Sequence, residues 1–366
     1  MREILIDGRP VGLGHPTYIV AEAGINHDGD MTKAREMVDA AREAGVDAIK
    51  FQAFTASEFC GKGLRYQWKD SQGRKYDEHQ RTMFKRYQIE RKGFTSIARV
   101  AGLRGLSFFV TATSPTWIDF AFNHLDVPCF KVGSDDIIHL PLLRKLSTLD
   151  LPVILSTGMA THDEIRRALI AVMPAPTILL HCVSLYPTPK SEWNLSRITT
   201  LRRTYAEGSY LRGHSEDGPL IGYSDHTEGI EAAVASVYLG SVMIEKHFTL
   251  DKKALGPDHR FSLNPKELKD MVERVREAEE KLGLGSLEPG RAEYNMRRIA
   301  RRVLVARVAL KAGQEIEMEH VSLKRAVAPT KEQTLDPDER VGVVGRKVAR
   351  DLRIDDAITV ESLCPL

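Results

Sequence analysis

The chain has 366 residues, 42% of them hydrophobic, with 52 Lys+Arg against 50 Asp+Glu. Charges that nearly cancel give no general pull toward nucleic acid or an anionic membrane. No apolar run reaches the roughly 18 residues of a membrane span, and Met1–Asp7 lacks a signal-peptide core, so a soluble cytoplasmic protein with a full core is expected.

Near the N-terminus, Ile4–Ile6 and Val11 flank Asp7-Gly8-Arg9-Pro10. This pattern predicts a β-hairpin cap over 1–17 that plugs the bottom of a barrel. From Tyr18 to Leu282, eight short β-rich runs alternate with helical patterns: Tyr18–Ala23, Ala48–Ala53, Leu106–Thr113, Cys129–Ser134, Pro152–Thr157, Thr177–Ser184, Leu220–His226 and Ser241–Phe248. Between the first two, Ala34, Met37, Val38, Ala41 and Ala44 recur at helical spacing and Gly45 is a stop signal. After the eighth, Asn264, Pro265 and Glu267 open a helix whose apolar stripe is Leu268, Met271, Val272 and Val275. Eight β/α units with near-continuous apolar strands argue for an α/β TIM (β/α)8 barrel over 18–282 rather than an open doubly wound sheet.

Within it, the stretch Gly61–Tyr87 is long, basic and aromatic; it reads either as a lid over the mouth or as a solvated surface loop. Gly283–Gly290 begins a linker over 283–299. The segment 300–366 is strand-rich, and Leu310-Lys311…Ile316…Glu319 resembles Leu352-Arg353…Ile358…Glu361 in spacing. A compact β-module with pseudo-symmetry explains that repeat; chance matching is the alternative. The four cysteines (Cys60, Cys129, Cys182, Cys364) are too scattered for a zinc knuckle or disulfide framework, and Cys129 and Cys182 read as small buried residues.

In a parallel barrel the strand C-termini share one mouth. In chain order they offer Glu22, Asn26 and His27; Lys50 and Gln52; Thr113 and Ser114; Lys131 and Ser134; Ser156 and Thr157; Ser184 and Tyr186; Ser224, Asp225 and His226; then Glu245, Lys246 and His247. Lysines and hydroxyls suit a phosphate or carboxylate. Lys50 and Lys131 need partners inside a strand, whereas alternation points Lys246 either way. His226 and His247 end adjacent strands, which suits a metal. Ser156-Thr157-Gly158 reads as a helix cap or as a phosphate cradle.

Several segments carry a resemblance: Ala21-Glu22-Ala23-Gly24-Ile25-Asn26-His27-Asp28-Gly29, Ile49-Lys50-Phe51-Gln52, Phe130-Lys131-Val132-Gly133-Ser134, Leu155-Ser156-Thr157-Gly158-Met159, Tyr186-Pro187-Thr188-Pro189, Gly222-Tyr223-Ser224-Asp225-His226-Thr227, Glu245-Lys246-His247-Phe248-Thr249 and Gly256-Pro257-Asp258-His259. In this order they resemble the sialic acid synthase family, and Arg301–Arg325 looks like that family's C-terminal SAF (antifreeze-like, β-clip) domain. The resemblance implies condensation of phosphoenolpyruvate with an N-acylated amino-hexose to give a nine-carbon ulosonic acid and phosphate. It implies that His226 and His247 hold a divalent metal, manganese by preference, with magnesium or cobalt as substitutes. Lys50, Thr113, Lys131, Ser134, Ser156, Ser184 and Ser224 would hold phosphoenolpyruvate. Glu22 would lie beside the sugar aldehyde, with Gln52, Tyr186 and Asp258 at the sugar end, Glu22 and Asp258 being the candidate acid–base groups. Arg325 would reach the sugar's N-acyl group in a neighbouring subunit, because the family forms a domain-swapped homodimer. The family's Lys-Arg-Pro-Gly reads Lys324-Arg325-Ala326-Val327 here, and Ala112-Thr113-Ser114-Pro115 replaces its Ser-Thr-Pro. Basic residues over 61–87 (Lys62, Arg65, Lys69, Arg74, Lys75) hint at a phosphorylated or acidic sugar. Rival readings are a Schiff-base aldolase using Lys50, Lys131 or Lys246, and a non-catalytic carbohydrate-binding protein.

Overall fold

A computed structural model describes residues 2–207, 218–283, 285–325, 335 and 337–365. It divides into two compact units, Met1–Leu284 and Gly285–Leu366.

The first unit opens with an antiparallel hairpin, β1 (Glu3–Ile6) and β2 (Arg9–Gly12). Asp7 and Gly8 at its turn both take positive φ. Ile4, Ile6 and Val11 are buried in the main core. Arg9 pairs with Asp47, just before the second barrel strand, and Ser107 Oγ donates to Asp7 Oδ2 over 2.8 Å. The hairpin thus closes the N-terminal end of the strands.

Eight parallel strands follow: β3 (Tyr18–Gly24), β4 (Ala48–Ala53), then β7 (Ser107–Ala112), β8 (Phe130–Val132), β9 (Val153–Ser156), β10 (Thr177–Cys182), β11 (Leu220–Asp225) and β12 (Met243–His247). They pair in sequence order and β12 pairs back to β3, closing a barrel with helices around it. Seven strands lie within the runs expected from sequence, a residue or more shorter at several ends, the first runs one residue past its expected end to Gly24, and the fold is a TIM barrel. The helix Met31–Ala44 buries the five expected apolar positions and ends at Gly45 with φ 83°. The helix Pro265–Leu282 starts on an Asn264–Glu267 capping box.

Between β4 and β7 the stretch 61–87 is neither a plain loop nor mere solvated surface. It folds as an antiparallel hairpin, β5 (Arg65–Lys69) with β6 (Lys75–His79), followed by a helix over Gln80–Tyr87. Trp68 stacks on Tyr76 with ring centroids 4.2 Å apart. Arg86 grips Glu78 through two bonds of 2.6 and 2.8 Å, and Trp68 Nε1 donates to the same carboxylate. Ile25, Phe54, Met83 and Tyr87 bury the underside. The aromatic residues therefore serve as the insertion's own small core.

In the second unit, the stretch expected to be linker carries a helix over Arg291–Ala300. Two strands, β13 (Arg302–Ala306) and β14 (Val321–Arg325), pair antiparallel. The faint repeat is structural: Leu310 and Leu352 exchange backbone hydrogen bonds of 2.9 Å in both directions. Around that pair several bonds recur at the same offset. Ile358 N–H donates to Leu304 as Ile316 N–H does to Arg346, and Val305 bridges Ala357 as Lys347 bridges Glu315. Each half ends in a capped 3₁₀ turn, Met318–His320 and Val360–Ser362.

Burial fixes one response to acid. His27 and His181 are fully buried, and burial holds both imidazoles down to about 4 against an ordinary 6.5. Below pH 6.5 the unfolded chain binds these protons and the folded chain does not. Stability is therefore complete above about pH 6.5 and drains away as pH falls to about 4, by up to about 3 kcal/mol per histidine. Denaturant midpoints measured across that range should show the slope, and His27→Asn should remove its share.

Candidate active site

Strand alternation decides which polar residues reach the mouth. In the β11–β12 register Ser224 faces Glu245 and Asp225 faces Lys246. Ser224 Oγ donates to Glu245 Oε1 at 3.0 Å on the inner face. Lys246 binds Asp225 at 2.9 Å on the outer face, with both side chains fully buried. Lys246 and Asp225 are thus removed from the mouth as a structural pair. Asn26 bonds Phe248 O and Ser262, Thr157 donates to Leu180 O, and His27 Nδ1 accepts from Gly29 N–H. These three also turn away, because each satisfies backbone or turn groups behind the strand ends. The sequence inventory of three mouth lysines becomes two.

Ser114 likewise lies off the mouth, at the start of the helix Pro115–His124, and the remaining residues line a cavity of about 600 Å³. Its floor is ionic. Lys50 Nζ lies 2.8 Å from Glu22 and 3.6 Å from Glu245, and Lys131 Nζ is 3.6 Å from Glu245. Lys50 also donates to Thr111 Oγ1 at 2.6 Å, and Gln52 Nε2 to Glu22 Oε1 at 3.3 Å. All four charged groups are buried. Burial opposes the charge on Lys50, but Glu22 and Glu245 outweigh it and hold the ammonium up. Burial prevails at Lys131 and at Glu22, lowering the first and raising the second.

One wall is a set of hydroxyls. Ser134 Oγ accepts from Gly158 N–H at 3.0 Å, and a Cβ on Gly158 would come within 2.7 Å of that oxygen. Ser156 and Ser184 each bury an oxygen with no partner among the described residues. The helix after this turn starts at His162 on a Thr161–Glu164 capping box, so Ser156 and Thr157 are not its cap. A tight backbone with clustered, unspent hydroxyls is the chemistry of an anion cradle.

The adjoining wall carries the imidazoles. The rings of His226 and His247 are 5.3 Å apart between centroids, and Tyr186 leans on His226 at 4.2 Å. His226 Nδ1 bonds Val183 O at 2.8 Å, which leaves Nε2 available. His247 Nδ1 is buried without a hydrogen-bond partner, with Asp258 Oδ2 3.8 Å away. Burial, reinforced by the neighbouring cations, pushes the His247 imidazole well down and keeps its lone pairs free. Burial raises the Asp258 carboxyl to about 6.

Thirteen of the fourteen residues singled out from sequence border this cavity: Glu22, Lys50, Gln52, Thr113, Lys131, Ser134, Ser156, Ser184, Tyr186, Ser224, His226, His247 and Asp258. Arg325 ends β14 in the second unit, exposed, and its neighbours Ala326 and Val327 lie outside the described residues. Thr113 bonds Ala53 O, whereas Thr111 is the hydroxyl on Lys50. Thr111 was missed, and so were a role for Glu245 and the lining position of Cys182, whose Sγ is 3.7 Å from His226 Nδ1. Each stands two residues before a recognised one (Thr113, His247, Ser184), so strand alternation carried the signal.

The NeuB family model matches residues 37–286. N,N'-diacetyllegionaminic acid synthase of Legionella pneumophila is 33% identical over 94% of both chains. Human N-acetylneuraminate-9-phosphate synthase is 33% identical over 98% of this chain and 95% of its own. The crystal structure of N-acetylneuraminic acid (sialic acid) synthetase from Leptospira borgpetersenii, 33% identical, superposes with a TM-score of 0.71, covering 81% of this chain and 95% of that one.

The ionic floor predicts a rescue. Lys50→Met leaves two buried carboxylates short of their partner and should cost about 3–5 kcal/mol in urea unfolding. Adding Glu22→Gln should recover most of that loss without restoring any function that needs the ammonium.

Proposed function

The chain belongs to the NeuB family, and from that footing we propose that it is a sialic-acid-type synthase. It condenses phosphoenolpyruvate with an N-acylated amino sugar to give a nine-carbon ulosonic acid and phosphate. The observation that carries the reading is the union, in one cavity, of two lysines, a hydroxyl cradle and two imidazoles with free nitrogens.

Lys50 and Lys131 compensate the carboxylate and phosphate of phosphoenolpyruvate, and Ser134, oriented by Gly158 N–H, holds the phosphate oxygens together with Ser156 and Ser184. Thr113 and Ser224 complete that end. Gln52, Tyr186 and Asp258 face the sugar. His226 and His247 fit a divalent ion, manganese by preference, since one buried ring nitrogen is unpartnered and the other ring is oriented by a backbone carbonyl. Such an ion supplies Lewis acidity to an aldehyde oxygen.

The enol carbon C3 forms a bond to the aldehyde carbon, which leaves cationic character at C2. Water adds to C2, and Glu22, whose carboxyl is raised by burial, takes one of its protons and passes it to the former aldehyde oxygen. The second proton passes to the phosphate as the tetrahedral centre collapses to a ketone, the C2–O bond breaks and hydrogen phosphate departs. Atoms and charge balance with one water consumed.

The second unit resembles an SAF domain and, in this reading, brings Arg325 to the N-acyl group in the mouth of a partner within a domain-swapped dimer. A second reading has one observation behind it: Lys131 is lowered by burial, as a Schiff-base lysine must be. Borohydride trapping with insensitivity to chelators would favour that aldolase reading.

Under the synthase reading, His226→Ala and His247→Ala each abolish phosphate release from phosphoenolpyruvate plus amino sugar while leaving thermal unfolding cooperative. Near-normal rates in manganese-replete buffer would sink the metal assignment. Mixing inactive His226→Ala and Arg325→Ala chains should restore up to about one quarter of wild-type activity if the arginine works across subunits; no recovery would place it in its own chain.

A further inference from the structure

The following rests on the synthase reading and concerns its second substrate. We infer that the acceptor is an uncharged, non-phosphorylated N-acylated amino sugar whose outer end carries apolar groups such as acetamido methyls or a 6-deoxy carbon. This reverses the expectation drawn from the basic stretch 61–87.

The charge inventory of the cavity is the first ground. Among the described residues, Lys50 and Lys131 are the only lysine or arginine side chains that line it, and both sit at the floor against Glu22 and Glu245. One phosphoenolpyruvate, with its phosphate and carboxylate, occupies both. Asp135 and Asp258 also line the cavity, nearer its rim than the buried floor. Within the barrel a second phosphate would therefore meet carboxylates and no unspent lysine or arginine, Arg325 being assigned to the N-acyl group, and a dianion is costly in that position.

The outer wall is the second ground. Phe59 and Phe84 present apolar surface there, backed by the buried Met83, and Gln67 and Gln80 add neutral amides that donate and accept hydrogen bonds. Such a wall recognises acyl methyls and sugar hydroxyls.

The third ground is where the basic residues went. Lys62, Arg65, Lys69, Arg74 and Lys75 do not line the cavity, and neither does Arg81. Arg65 is held by Asp77 at 2.7 Å and Arg74 by Asp70 at 2.6 Å. The stacked Trp68–Tyr76 pair and the Arg86–Glu78 fork fix the hairpin that carries four of these residues, and two of the four, Arg65 and Arg74, are committed to its own fold.

The test is kinetics with the full chain, manganese and phosphoenolpyruvate, with the product identified by mass spectrometry. The acceptors are N-acetylmannosamine, N-acetylmannosamine 6-phosphate and a 2,4-diacetamido-2,4,6-trideoxyhexose. The better neutral sugar should exceed the 6-phosphate in kcat/KM by at least about 100-fold. Gln80→Lys, which adds an ammonium to the outer wall, should narrow that ratio at least about 10-fold. Equal or better use of the 6-phosphate by the unaltered chain overturns the inference and leaves the synthase reading standing. An unmoved ratio in Gln80→Lys overturns its electrostatic basis. Failure of all three sugars to consume phosphoenolpyruvate removes the synthase reading, and the inference falls with it.

Discussion

Two ammonium groups and two carboxylates share the dry floor of the barrel, and the rest of the site is arranged around their mutual compensation. None of the four could stay ionised there alone, since burying a lone charge costs several kcal/mol. Lys50 is the hub, reaching Glu22, Glu245 and Thr111 at once. The result is a place where anions can be exchanged without creating an unpaired charge. That property suits a cavity that must accept a highly charged substrate and later release phosphate.

Parallel pairing extends this logic outward. Neighbouring strands bring side chains of the same parity to the same height, so each rung contributes one inner and one outer pair. At the β11–β12 rung, the inner pair Ser224–Glu245 belongs to chemistry, and the outer pair Asp225–Lys246 fastens the strand to its surroundings. The barrel thereby keeps two electrostatic systems apart by the thickness of a single strand. Phosphate-holding hydroxyls and the two imidazoles occupy adjoining stretches of the wall, because they follow neighbouring strands of the closed ring: Ser184 comes after β10 and His226 after β11.

Much of this was legible in the residues. The eight strands, the hairpin at the bottom and the helix caps follow from apolar spacing and from Gly45, Asn264 and Pro265, which act through local physics. What the sequence obscured needed partners from elsewhere. Lys246 looks identical to Lys50 along a strand, and only Asp225 across the rung assigns it to structure. Basic residues in 61–87 read as a binding surface until Asp70, Asp77 and Glu78 are found on the same hairpin. Thr111 and Cys182 lacked a motif of their own, and Glu245 stood in one without a role, yet each lies one alternation inside a recognised position. For the amino sugar, identity is silent, because a synthase of a free acid and one of a 9-phosphate match equally well at 33%. There the wall of the cavity discriminates where similarity does not.

The second unit has a symmetry written into its hydrogen bonds. Leu310 pairs with Leu352, its own counterpart in the repeat, and the Val305–Ala357 bridge has its twin in Glu315–Lys347. A residue that pairs with its own image marks a two-fold axis, as between identical subunits. The two halves of this unit therefore cover each other as two short chains of a small dimer would, with one chain supplying both partners. The symmetry is approximate: β14, which ends at Arg325, pairs with β13 over five residues, where the other half has the Val348–Leu363 bridge.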